Sequence, residues 1–295
     1  SNVVINNNKV SQWIDISGNG YVFSQIDSTK MPSYINYIDS MNNKPSIYFQ
    51  NDVLIINQDI TIGTFFILAN YNSFFFNRWV GLLTRNYDYP GNEDYLILAN
   101  PDINNSTVFY ESPLIQNNFY INNNQTYDFS PLKKPKIIYG ILNNLTNWND
   151  LSIGQDRGWN DRFWHGDVYE VIIYDRILNS IEIEQVKTYL MDKYAPPIKL
   201  SDQDYSCSII INNCPYTLKS DSYYTSYNWS TGDTADSIIV TSSGKYCVTA
   251  TDIFGRVSSD SIFYFCHAPV YLPTDTFFCY GDSLNLQSTL PDSLF

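Results

Sequence analysis

Cleaving a glycosidic bond with retention needs two carboxyl groups facing one cleft, about 5–5.5 Å apart. Asp167 with Glu170 and Glu93 with Asp94 are close carboxylate pairs in the first domain. On a strand, residues an odd number apart point to opposite faces, so neither pair is expected to converge. No Glu-x-Asp-x-x-Glu pattern occurs. The histidines are His165 and His267, and they fall in different predicted domains. A Ser-His-Asp triad could therefore be built only around His165, whose plainer reading is a loop or strand-start side chain. No P-loop, GxGxxG or zinc spacing appears. The first domain reads as non-catalytic.

Recognition chemistry is better supplied. Sugar sites set aromatic platforms among amides and carboxylates. Trp148 lies in Asn147-Trp148-Asn149-Asp150, Trp159 in Trp159-Asn160-Asp161-Arg162, and Trp164 follows two residues later. These three tryptophans are the candidate ligand-binding residues. The competing reading packs them in the core or at the sandwich edge. Trp79, in the apolar run Trp79-Val80-Gly81-Leu82-Leu83, reads as core.

The elements that position these residues centre on Phe163 to Leu178. Val168, Glu170, Ile172 and Tyr174 alternate with Tyr169, Val171, Ile173 and Asp175. A period of two in a β-branched and aromatic run predicts a buried strand. Asn179 and Glu182 then have the spacing of a capping box, and Ile183, Val186 and Leu190 mark one helical face. Pro196 and Pro197 end the helix. Upstream, strands are expected at residues 46–49, 53–56, 61–69, 79–84, 95–99, 107–110, 118–121, 136–142 and 151–154. Asn, Asp, Gly and Pro clusters separate them, and Asn6-Asn7-Asn8 and Asn122-Asn123-Asn124 read as loops. Many short strands so punctuated predict a sandwich or jelly roll.

The 295 residues allow two domains and a fragment of a third. Aromatic and β-branched enrichment, with 25 Tyr and 17 Phe against 3 Met, favours sheet. A net charge of −13 argues against nucleic acid, since phosphate binding needs clustered Lys and Arg. It also disfavours an anionic membrane surface. No apolar run is long enough to span a bilayer as a helix.

Three motifs carry a resemblance. Trp13-Ile14-Asp15-Ile16-Ser17-Gly18-Asn19-Gly20 is similar to the opening motif of laminin-G-like, concanavalin-A-like jelly rolls of secreted bacterial proteins. Asn42-Asn43-Lys44-Pro45-Ser46-Ile47-Tyr48-Phe49 resembles their second strand entry, where Gly is more usual than Asn43. The Gly166-Asp167 strand followed by the closing helix resembles their C-terminus. The resemblance covers about the first 195 residues. It implies a calcium ion between the first and last strands, held by Asp15 and Asp167 with a carbonyl from Asn19. The alternative is that Asp15 organises the Ser17–Gly20 turn and Asp167 is a solvated strand-start residue.

From Pro196 the rhythm changes to short strands 8–12 residues apart, that of an Ig-like sandwich, with Trp229 as the expected inter-sheet core residue. Tyr227-Asn228-Trp229-Ser230-Thr231-Gly232, then Ser237-Ile238-Ile239-Val240, then Ser243-Gly244-Lys245-Tyr246-Cys247-Val248 look like the Ig-like or PKD-like repeats of large Bacteroidetes surface proteins. That resemblance implies export by type IX secretion, with roles in gliding or adhesion. All five cysteines lie from Cys207 onward, which favours disulfides and an oxidising compartment. Tyr246, Val248 and Ala250 share one face, so Cys247 is expected outward and an antibody-style core bridge is not. Pairing among Cys207, Cys214, Cys247 and Cys266 stays open. Leu272 to Leu286 restarts the pattern, leaving Cys279 for a partner beyond Phe295.

The sequence thus predicts an all-β chain. Residues 1–195 form a concanavalin-A-like jelly-roll sandwich with one C-terminal helix, 196–268 an Ig-like sandwich, and 269–295 the start of another. The expected function is a cell-surface adhesion module binding glycan or protein, with the Ig-like repeats as stalk. Its expected location is extracellular, with calcium as a structural ion. The alternative is an ancillary or catalytic domain of a polysaccharide-degrading enzyme.

Overall fold

The computed structural model describes residues 2–73, 79–86, 94–99, 107–200, 209–220 and 223–267. Glu93, Cys207, Cys279 and the expected further repeat at 269–295 lie outside the described residues. The described chain is an all-β sandwich fold with a single α-helix. It divides into two compact units, Ser1–Pro196 with Ile253–Gly255, and Pro197–Asp252 with Arg256–Phe295.

In the first unit one antiparallel run orders Lys44–Gln50, His165–Tyr174, Ile60–Ala69, Lys136–Trp148 and Phe119–Ile121. A second orders Phe109–Tyr110, Tyr95–Ala99, Val80–Arg85, Leu151–Ile153 and Leu54–Ile56. Val22–Ser24, Lys9–Ile14 and Ser33–Ile38 join the two. Phe65, Ile67, Leu83, Ile97 and Ile153 pack in one core. Phe66, Leu68 and Tyr139 pack in a separate core with Ile183, Val186 and Leu190 of the helix. Ile60–Ala69 is therefore buried on both faces, which is why its apolar run has no polar alternation. Each fully buried Phe, Ile or Leu contributes roughly 1.5–3 kcal/mol.

The helix spans Ser180–Tyr194 and begins on the predicted capping box. Asn179 Oδ1 accepts from the Ile181 and Glu182 amides at 2.9 and 3.1 Å, and Glu182 Oε2 accepts from the Asn179 amide at 2.9 Å. The register of His165–Tyr174 shifts between Val168 and Glu170. Val168, Val171 and Ile173 face the inter-sheet core, whereas Tyr169, Ile172 and Tyr174 face the helix. This bulge corrects the strict alternation expected from sequence, because two consecutive residues, Tyr169 and Glu170, turn to the helix side.

The two Asn clusters read as loops are tight hairpin turns. Asn7 and Asn8 have φ of 49° and 63°, and Asn122 and Asn123 have 45° and 72°. Positive φ at both central residues matches the right-handed twist of the flanking strands. Val3–Asn6 and Lys9–Ile14 pair around the first turn. Asn43 has φ 54°, which explains why that position suits glycine.

After Lys44–Gln50 the chain turns at Asp52, whose Oδ2 accepts from the Gln50 amide at 2.7 Å, with Lys9 Nζ 4.0 Å from Oδ1. Asp52 is 4% exposed. Burial pushes its carboxyl up to about 6, against the opposing pull of the Gln50 amide and Lys9. The folded state then holds the proton more tightly than the unfolded chain, so ionisation costs stability as pH rises from about 4 through 6. Asp52→Asn is expected to be more stable than the parent by up to about 2 kcal/mol above pH 7, with the gap closing towards pH 4. Denaturant melts at both pH values check this; an Asp52→Asn loss at neutral pH contradicts it.

In the second unit Ile209–Asn213, Val257–His267, Gly244–Thr251 and Ser226–Trp229 form one sheet, and Tyr216–Lys219 pairs with Ser237–Val240 in another. Ile209–Asn213 runs parallel to Val257–His267. The Trp229 strand pairs with Gly244–Thr251, which pairs in turn with Val257–His267. Trp229 is 2% exposed in the core with Leu218, Val240, Tyr246, Val248 and Tyr264, and its indole N–H donates to the Ala235 carbonyl at 2.9 Å. Ile198 and Leu200 are buried in this core. Cys214 and Cys266 form a disulfide, while Cys247 points away from the core as a free thiol.

Candidate functional site

The six residues singled out from sequence do not form one site. Asp15 organises its own turn: Oδ1 accepts from the Ser17 amide at 2.9 Å and Oδ2 from the Ser17 hydroxyl at 2.5 Å. Asn19 Nδ2 donates to that same hydroxyl at 2.9 Å. Asp167 is 7% exposed rather than solvated, and accepts from Ser46 Oγ at 2.8 Å and Asn72 Nδ2 at 3.2 Å. The register runs from Asp167 to Tyr48, Tyr48 to Ser33 and Ser33 to Lys9, with Asp15 six residues further along. Three strand spacings and six residues of rise put the two carboxylates on the order of 20 Å apart. Calcium binds oxygen at about 2.3–2.6 Å, so Asp15, Asn19 and Asp167 do not fit a shared ion. Among the described residues no group of three or more His, Cys, Asp or Glu could hold a metal.

Asp167 and Glu170 were expected on opposite faces, and the bulge puts both on the helix side. They remain in separate networks. Glu170 accepts from Tyr189 Oη and Lys193 Nζ at 2.8 Å each, both on the helix. His165 is half-buried, its ring stacked on Tyr71, and burial lowers its pKa.

The tryptophans separate sharply. Trp148 and Trp164 are 3% and 0% exposed in the inter-sheet core, so neither ring can stack on a ligand, which corrects that expectation. Trp164 donates its indole N–H to the Asn70 carbonyl at 3.0 Å. Trp159 is 46% exposed. Trp79, expected in the core, is half-buried with its ring edge-on to Tyr110.

Trp159 stands on a loop closed by a bridge between Gln155 and Phe163. Gly154 enters it at φ 98°, where a Cβ would lie 2.4 Å from the Phe49 ring, so glycine is required. The loop lies so close to Val80–Arg85 that a Cβ on Gly81 would meet the Asp156 backbone at 2.5 Å. Thr84 Oγ1 donates to the Gln155 carbonyl at 2.8 Å and accepts from the Arg157 amide at 3.1 Å. The Trp159 amide donates to the Asp156 carbonyl at 2.8 Å, and Gln155 Nε2 to the Trp159 carbonyl at 2.9 Å.

At the loop's centre Asp156 is fully buried. Arg157 Nε donates to its Oδ1 at 2.6 Å and Arg162 Nη1 to its Oδ2 at 3.1 Å. A buried carboxylate is tolerable only with such charge-assisted partners. Arg162 then lays its guanidinium 4.4 Å from the Trp159 ring centroid. Arg157 lies 5.4 Å from the ring of Tyr95, and Tyr95 contacts Tyr110, which is 46% exposed. Burial, reinforced by Tyr110, holds the Tyr95 hydroxyl well above the ordinary tyrosine range, so it stays protonated and donates to the Glu111 carbonyl at 3.0 Å.

No protein-family model matches the chain, and no curated protein matches it.

Asp156, Arg157, Tyr95 and Tyr110 are absent from the sequence-derived set. The available signal was Gly154-Gln155-Asp156-Arg157-Gly158, two turn glycines bracketing opposite charges. Tyr95 and Tyr110 join the loop only through strand pairing.

Proposed function

We propose that the first unit is a non-catalytic recognition module that binds a saccharide against the exposed face of Trp159. The Ig-like unit serves as its spacer within a secreted, multi-domain surface adhesin. One observation carries this reading: a large aromatic ring is held out to solvent on a loop anchored by Thr84, Gln155 and buried Asp156. Fixed aromatic platforms beside amides and carboxylates suit sugar rings, whose C–H faces stack and whose hydroxyls hydrogen-bond. Asn160 and Asp161 follow Trp159 and are exposed. Preorganisation limits the ordering cost of binding. The Cys214–Cys266 disulfide supports an oxidising, extracellular location.

A glycan array probed with the full chain and with Trp159→Ala tests the proposal. The expected result is retention of at least one saccharide class by the parent, weakened at least about tenfold in the variant. Failure of the parent to retain any saccharide, or equal retention by Trp159→Ala, refutes the reading.

A further inference from the structure

Trp159 is not the only exposed ring on this face. The contacts run without a break from Trp159 to Arg162, through buried Asp156 to Arg157, and on to Tyr95 and Tyr110. Trp79 buttresses Tyr110 with a T-shaped contact at 5.7 Å between centroids. Trp159 and Tyr110 are equally exposed, at 46%. Between them lie charges that already satisfy one another and a tyrosine that is 2% exposed. The strip thus has an open aromatic ring at each end and a filled, polar middle.

We propose that Tyr110 is a second aromatic subsite of the same site, and that the ligand is a linear polysaccharide segment spanning both rings rather than a single terminal sugar. This rests on the saccharide-binding reading above. The two rings connect only through Arg162, Asp156, Arg157 and Tyr95, so a ligand that meets both must extend across that filled middle. Two platforms on one rigid scaffold engage such a chain with little added ordering cost, since the second contact is intramolecular once the first is made. Neither ring needs to move: Asp156 fixes Arg157 and Arg162 together, Arg162 packs on Trp159, and Arg157 packs on Tyr95, which contacts Tyr110. Arg157 and Arg162 both bond to Asp156, so charge is offset locally, and a neutral chain fits better than a polyanion approaching a protein of net charge −13.

The test measures affinity of the full chain for neutral linear oligosaccharides of two to eight residues, drawn from whichever class the array retains. The parent is expected to bind the longer members about tenfold or more tightly than the disaccharide. Tyr110→Ala is expected to remove that gain and leave disaccharide binding unchanged, while Trp159→Ala weakens every length. Tyr110→Leu, which keeps apolar bulk against Trp79, controls for folding and is expected to lose the same gain with an unchanged melt. Binding independent of length, or a length gain that survives Tyr110→Leu, overturns the second subsite and leaves the Trp159 reading standing. Retention of no saccharide removes both.

Discussion

Asp156→Ala is expected to destabilise the first unit by about 3–5 kcal/mol, because it strands two arginines that now share one fully buried carboxylate. Removing one partner of a buried ion pair leaves the other charge desolvated without compensation. Arg157 is 13% exposed and Arg162 26%, so water can recover only part of the loss. Asp156→Asn keeps an acceptor oxygen and is expected to lose less. Denaturant unfolding of the full chain measures both, with the second unit's transition unmoved. A loss below about 1 kcal/mol for Asp156→Ala would show that the loop does not depend on this carboxylate.

Trp164→Ala and Trp159→Ala are expected to behave as opposites. Trp164 is wholly buried, edge-on to Tyr71 at 4.9 Å and to Phe129 at 5.9 Å, and it satisfies the Asn70 carbonyl. Its loss opens a large cavity and orphans that carbonyl, at about 3–5 kcal/mol. Trp159→Ala removes an exposed ring and one cation–π contact, at below about 1 kcal/mol. Thermal melts of the two variants distinguish core from platform. Similar losses in both would mean that Trp159 is a packing residue and no platform.

Much of the fold was legible because its signals are local. The period-two run before Asn179, the capping box and the Ile183, Val186, Leu190 stripe each report a single element, and each is found. Reading Asn6-Asn7-Asn8 as loop polarity hides the Val3–Asn6 and Lys9–Ile14 strands. Their own signal, two Asn residues between β-branched runs, is that of a tight hairpin. The bulge at Tyr169 was invisible, since alternation in sequence carries no mark of an inserted residue.

The site was less legible. Trp148, Trp159 and Trp164 have similar polar neighbourhoods in sequence, and what separates them is tertiary. Trp148 ends a strand whose face turns inward, and Trp164 follows the loop's closing bridge into the core. Trp159 alone of the three sits at the loop's crest, between Gly158 at φ 79° and Asn160. The residues of the metal set lie apart for a related reason. Asp15 and Asp167 each sit in motifs that resemble a known pattern, but adjacency in a motif does not fix how many strands lie between them.

A probe on the Trp159 ring reports whether ligand meets the protein there. The full chain labelled with 5-fluorotryptophan gives one fluorine resonance per tryptophan, and Trp159→Phe assigns the relevant one. On titration with a saccharide retained by the array, the Trp159 resonance should shift or broaden with occupancy, while those of buried Trp148, Trp164 and Trp229 stay in place. Saturable binding that leaves the Trp159 resonance untouched would exclude Trp159 as the platform.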